Sequence, residues 1–216
     1  MTTEDYNEWA VRKEQYKGSD HGIPFIDITD SFEARLERKF WIHNGGHATV
    51  AYAGYLKGYT YIHEAVNDLE ISAFAGKVMD EIGEAVAHKY GFEKDEITRY
   101  KNALVTRGLI SEMKDEIVRV IRNPIRKLGL ADRLLAPAIY ASQNNIPYDY
   151  IIKAAVNITL YNSKADAESV RMQETIQNKG FEYFVSEILG ASKYPEIYNK
   201  LIKYRREKEH GAFKNC

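Results

Sequence analysis

From Ser31 onward the sequence keeps helix-period apolar spacing almost without interruption, broken only where glycine or proline intervenes. This pattern constrains the chain more than any other feature. It leaves room for one short extended stretch and otherwise for helices packed on helices. The spacing predicts helices over 31–43, 47–57, 60–67, 69–89, 93–106, 111–122, 124–128, 132–143, 147–162, 166–179, 181–189 and 193–209. Gly58, Gly91, Gly108, Gly129, Gly180 and Gly190 punctuate these spans, and Pro124 and Pro147 suit first-turn positions. Residues 2–17 read as a short helix or as a strand running into a loop. Residues 18–24 read as loop and Phe25–Ile28 as a short strand. The charged tail from Arg205 is expected to fray.

A chain of 216 residues supports one substantial domain with a full core. Its apolar fraction of 44% and charged fraction of 28% are those of a soluble globular protein. A net charge of -1 argues against nucleic acid or a membrane surface as partner. No apolar run approaches membrane-spanning length, and no signal-peptide pattern opens the chain. The single cysteine, Cys216, excludes an intrachain disulfide and a cysteine-rich metal site, and fits a reducing cytoplasm. The sixteen tyrosines recur mostly at helical spacing, as amphipathic packing requires.

The residues that point to chemistry lie between Glu37 and Leu56, ERKFWIHNGGHATVAYAGYL. Phe32, Leu36 and Phe40 fall on one face of the helix expected before the glycines, with Asp30 or Ser31 as its N-cap. The Gly45-Gly46 pair is expected to stop that helix and turn the chain. Asn44 then falls at a helix terminus and His47 at the start of the next helix, where free amides favour an oxygen gaining negative charge. A buried lysine with weakened proton affinity, here Lys39, acts as a general base near neutrality. An amide and an imidazole hold and polarise the same oxygen. Alcohol oxidation by hydride transfer needs this set and no other side chain, because the cofactor carries the hydride. Judged by spacing alone, ordinary helix-end residues are the commoner explanation.

A second cluster joins Arg119, Arg122, Arg126, Lys127 and Arg133, opposed only by Asp132. A solvated helix face is the ordinary reading of such a run. Asn123-Pro124 interrupts it, however, so these side chains project from a corner, and arginine is the preferred partner of phosphate. His43, His63 and His88 sit on separate spans without metal-ligand spacing and read as packing or surface residues. Asp68/Glu70, Asp80-Glu81 and Asp95-Glu96 read as solvated helix faces.

The spacing Lys39-x4-Asn44-x2-His47, followed by Ala48 and Ala51-Tyr52-x-Gly54, resembles the signature of the polyol-specific long-chain dehydrogenases. Glu8-Trp9-Ala10-Val11, Leu56-x-Gly58, Lys89-Tyr90-Gly91-Phe92 and the stretch Arg119–Arg133 are similar to the mannitol-1-phosphate 5-dehydrogenase branch, so the resemblance covers nearly the whole chain. It implies a mainly α fold: the multi-helical C-terminal domain of the 6-phosphogluconate-dehydrogenase-like type, with a short extended N-terminal segment. Residues 1–30 would be a linker or edge segment from a missing Rossmann domain, and 31–216 the helical substrate-binding and catalytic domain. The resemblance makes Lys39 the general base, Asn44 and His47 the holders of the reacting oxygen, and Arg119 and Lys127 contacts to substrate oxygens. Arg122 and Arg126 fit an RxPxRK pattern characteristic of phosphorylated substrates, which favours mannitol 1-phosphate and its product fructose 6-phosphate. A recurrent family arginine matches Arg107, but the aromatic residue and Asn-Pro that follow it elsewhere are replaced by Gly108-Leu109-Ile110-Ser111. NAD or NADP is implied, with no metal, and is held mainly by the Rossmann domain. The sequence contains no G-x-G-x-x-G turn of the kind such a domain uses. The chain alone is therefore expected to be inactive, with Trp9 as exposed apolar surface. Two other readings are a sugar-acid reductase of the same family, acting on mannonate or tagaturonate, and an orphan helical binding or oligomerisation module.

Overall fold

The structure, a computed structural model, describes residues 9–18, 26–104 and 114–211. Two short strands, β1 (Trp9–Arg12) and β2 (Ile26–Thr29), pair in parallel with Trp9 opposite Ile26 and Arg12 opposite Thr29. Among the described residues, everything after them is helical or connecting. The helix α1 (Phe32–Arg38) runs through a π-helical turn (Lys39–His43) directly into α2 (Asn44–Lys57). Then follow α3 (Ile62–Asn67), α4 (Leu69–Tyr90), α5 (Lys94–Ala103), α6 (Ile117–Val120), α7 (Pro124–Lys127) and α8 (Leu135–Gln143). The chain closes with α9 (Asp149–Ile158), α10 (Ala167–Lys179), α11 (Phe181–Tyr183), a second π turn (Phe184–Ile188) and α12 (Pro195–Glu209).

The core is built around α2, which is buried continuously from Ala48 to Gly54. It packs on α3, α4, α6 and α9. The apolar stripe of α4, Ile71, Phe74, Ala75, Val78, Met79, Ile82, Ala85 and Val86, recurs every three or four residues and faces this centre. Asp68 caps α4 by accepting from the amides of Glu70 and Ile71, and Gly91, at φ 72°, closes the other end in the left-handed region.

Several expectations are corrected. Gly45-Gly46 does not turn the chain: both lie inside α2 with right-handed angles. What they supply is close approach. A Cβ on Gly45 would meet Ile82 Cδ1 at 2.9 Å, and one on Gly46 would meet Met79 Sδ at 2.7 Å. The buried face of α1 is Ala34 and Arg38, and Leu36 is 55% exposed. Arg38 reaches this position because its guanidinium lies between the rings of Phe92 and Tyr100 and pairs with Glu96. Residues 114–116 are not helical. Glu116 forms an antiparallel bridge with Tyr61, the Ile62 amide donates to Asp115 O, and the Ile117 amide donates to Thr60 O. Glu81 is buried rather than solvated and accepts from the Ile151 amide near the start of α9. The tail from Arg205 stays helical to Glu209, because Arg205 Nη1 donates to the Thr159 hydroxyl and carbonyl and its guanidinium stacks over Phe181. Pro147 precedes α9 by two residues, whereas Pro124 does open α7. Arg107 and Gly108 lie outside the described residues.

Gly54 faces the Ala65 Cβ and Ile117 Cδ1, which an added Cβ would meet at 2.7 and 2.8 Å. The first is fixed to backbone and cannot swing away. Gly54→Ala gains about 1 kcal/mol of helix propensity, but overpacking outweighs it. A net destabilisation of about 1–2 kcal/mol is expected in urea unfolding. An unchanged or raised midpoint would show that α2 and α3 are not in tight contact.

Candidate active site

The three residues of the signature stand on one uninterrupted helical run. Their shared face depends on the π turn. There the Asn44 amide donates to the Lys39 carbonyl, five residues back, so one extra residue is wound into the turn. In a plain α-helix, at 100° per residue, Asn44 would lie about 140° and His47 about 80° around the axis from Lys39. The extra residue reduces those angles to about 40° and about 20°. Lys39, Asn44 and His47 therefore form a polar stripe two turns long, leading into the buried stretch of α2 from Ala48 to Gly54. Lys39 is exposed, not buried as expected, while Asn44 and His47 are half-buried.

His43 belongs to the same stripe, four residues from both Lys39 and His47. Its ring lies 6.3 Å from that of His47, nearly edge-on, and its buried Nδ1 has no hydrogen-bond partner among the described residues. Burial, reinforced by His47 and Lys39, holds the His43 imidazole down at about 4. Burial also lowers His47; Arg119, Arg133 and Lys127 push in the same direction and Asp115 opposes them. His47 Nε2 is 3.6 Å from Asp115 Oδ2, and Asp115 Oδ1 receives Arg119 Nε at 2.7 Å and Nη2 at 2.6 Å.

The basic corner is positioned from α2 and α10. The buried Tyr52 hydroxyl donates to the Ile121 carbonyl at 2.6 Å, tying the end of α6 to α2. Asn123, in the left-handed region at φ 60°, donates its amide to Asp166 Oδ2 at 2.9 Å, while the Arg126 amide donates to Glu168 Oε2 at 3.0 Å. Lys127 is buried and donates to the Arg122 carbonyl. Burial, with the charges of Arg133 and Arg126, brings its ammonium down to about 8. Arg122 and Arg126 keep their side chains exposed, and Arg133 lies over the Phe40 ring with Nε on Asp132. The structure thus gathers His47, Arg119, Lys127 and Arg133 into one electrostatic neighbourhood, with Arg122 and Arg126 on its outer side. Lys39 couples to His43. Among the described residues no group of His, Cys, Asp or Glu is arranged to hold a metal, and no helix is long and apolar enough to cross a membrane.

A family model described as the mannitol dehydrogenase C-terminal domain matches residues 31–202. The chain belongs to that family. Among relatives of this mannitol dehydrogenase C-terminal domain, the mannitol-1-phosphate 5-dehydrogenase of Thermoanaerobacter pseudethanolicus is 36% identical over 96% of the chain. That of Caldanaerobacter subterraneus subsp. tengcongensis is 34% identical over 94%. The match covers 53% and 52% of those two proteins, so the chain spans about half the length of the curated relatives it resembles. The structure of Pseudomonas fluorescens mannitol 2-dehydrogenase, a ternary complex with NAD and D-mannitol, superposes with a TM-score of 0.68 at 20% identity, over 84% of this chain and 39% of that one. At that identity the likeness concerns the fold.

Two neighbours of the signature in this mannitol dehydrogenase C-terminal domain escape the sequence reading. His43 reads there as a packing or surface residue, although its four-residue spacing from Lys39 and His47 places it beside them once the helix is continuous. Asp115 had one signal, its i,i+4 relation to Arg119.

The depressed His43 predicts how stability depends on pH. Between about 6.5, its unfolded value, and about 4, the unfolded chain binds a proton there that the folded chain does not. Acidification through that window therefore favours unfolding, and below about 4 the effect is complete. Relative to wild type, His43→Gln should recover about 2–3 kcal/mol of the stability lost between pH 7 and pH 4 in denaturant titrations. Parallel pH profiles for the two proteins would refute the assignment.

Proposed function

We propose that this chain is the substrate-binding and catalytic half of a polyol-phosphate dehydrogenase, oxidising mannitol 1-phosphate to fructose 6-phosphate with NAD or NADP. The observation that carries the reading is the single stripe of Lys39, Asn44 and His47 on the π-turned helix, within the field of Arg119, Lys127 and Arg133. The names of the relatives support the substrate, and their doubled length supports a separate module for the cofactor. The nicotinamide ring of that cofactor supplies the hydride acceptor when bound. Lys39 takes the hydroxyl proton as the alcohol is oxidised and returns it when the ketose is reduced. Asn44 and His47 hold the reacting oxygen. Arg119 and Lys127 align the polyol chain, and Arg122 with Arg126 seats the phosphate through bidentate donors. Exposed Lys39 lies one turn after exposed Leu36, and Trp9 is 65% exposed. A docked Rossmann module covering that side would desolvate the lysine and weaken its hold on its proton, as a general base requires.

Two measurements test this. The chain alone, given mannitol 1-phosphate and NAD, should produce no NADH, and turnover would refute the division of labour. In a chain joined to a cofactor domain, Arg122→Ala with Arg126→Ala should raise KM for fructose 6-phosphate at least tenfold while changing a non-phosphorylated ketose about twofold or less. Equal losses for both substrates would exclude the phosphate seat. Activity of the parent on mannonate or tagaturonate, with none on the phosphate, would favour the sugar-acid reading.

A further inference from the structure

The carboxylate of Asp115 stands between two residues given roles above, and nothing yet accounts for it. It is 14% exposed, and its backbone is fixed by the bridge to 60–62: the Ile62 amide on its carbonyl at 3.0 Å and the Ile117 amide on Thr60 O at 2.9 Å. One oxygen, Oδ1, is taken by both Nε and Nη2 of Arg119. That leaves Oδ2 facing His47 Nε2 at 3.6 Å, longer than a direct hydrogen bond but close enough for strong charge coupling. The other charged groups acting on His47, namely Arg119, Lys127 and Arg133, are all cationic, and His43 beside it is held neutral near pH 7.

We propose that Asp115 is a positioning residue: with Oδ1 locked by Arg119, it turns the His47 ring so that Nε2 carries the proton, and so couples the oxygen-holding imidazole to the arginine that aligns the sugar. A carboxylate facing one ring nitrogen favours the proton on that nitrogen, and at 3.6 Å it leaves the Nε2–H free to donate to the reacting oxygen. Without Asp115, the charged groups among the described residues that act on this imidazole are cations. Arg119 also loses the partner that fixes its fork. That this arrangement serves polyol oxidation rests on the function proposed above, whereas the geometry of the ring does not.

The test is nitrogen-15 NMR of the histidine side chains in this chain, with His47 assigned by His47→Gln. The neutral His47 ring should be the Nε2–H form, and finding the Nδ1–H form overturns the proposal even if no Asp115 variant folds. In Asp115→Asn the His47 titration midpoint should fall by about 1 pH unit, the effect of removing a near opposite charge. Asp115→Glu should restore at least half of that, with unchanged circular dichroism in both variants. A fall of less than half a unit in folded Asp115→Asn, or no recovery in folded Asp115→Glu, overturns the proposal. These readings need no substrate, so a failure to turn over any polyol phosphate would count against the proposed function and not against the role of Asp115.

Discussion

One extra residue wound into a helix decides the geometry of this site. Lysine, asparagine and histidine at five- and three-residue spacing do not share a face of an ordinary α-helix. The hydrogen bond from Asn44 back to Lys39 wraps the additional residue and brings all three onto one line. A π turn has poorer packing and hydrogen-bond geometry than an α turn, so it persists only where the surroundings enforce it. Here Trp41 and Ile42, both inside the turn, are buried in the core.

That enforcement extends along α2. Glycines at 45, 46 and 54 let α4, α3 and α6 come closer than side chains would allow, and the Tyr52 hydroxyl fixes the end of α6. The same close packing that stabilises the centre thus places the basic corner relative to the stripe of Lys39, Asn44 and His47. Asn44 and His47 stay half-buried at the start of α2, where its middle from Ala48 to Gly54 is fully covered.

Much of this was legible in the sequence. Long periodic segments such as 69–89 and 193–209 read correctly because their apolar residues repeat with the helix and their ends carry Asp68, Gly91 or Pro195. The signature residues stand out by their spacing, which puts them on one face only once the π turn is known. The role of the glycine pair was not, because two glycines favour a turn locally, and only tertiary contact with Met79 and Ile82 makes an uninterrupted helix the better solution. Glu81 reads as solvated for a related reason: polarity predicts exposure unless a partner is available, and the Ile151 amide lies 70 residues away in the chain. Asp115 was missed because its neighbour His47 is brought to it by the fold alone.

The corner between α6 and α7 separates frame from decoration. Its peptide amides are gripped by Asp166 and Glu168 of the α10 region, and the side chains add lighter ties, Arg122 Nε to the Arg119 carbonyl at 3.2 Å and Arg126 Nη1 to Asp132 at 3.8 Å. Exchanging either arginine leaves both amide anchors in place. Two codons can therefore change the charge presented at this corner while both backbone anchors of the loop persist.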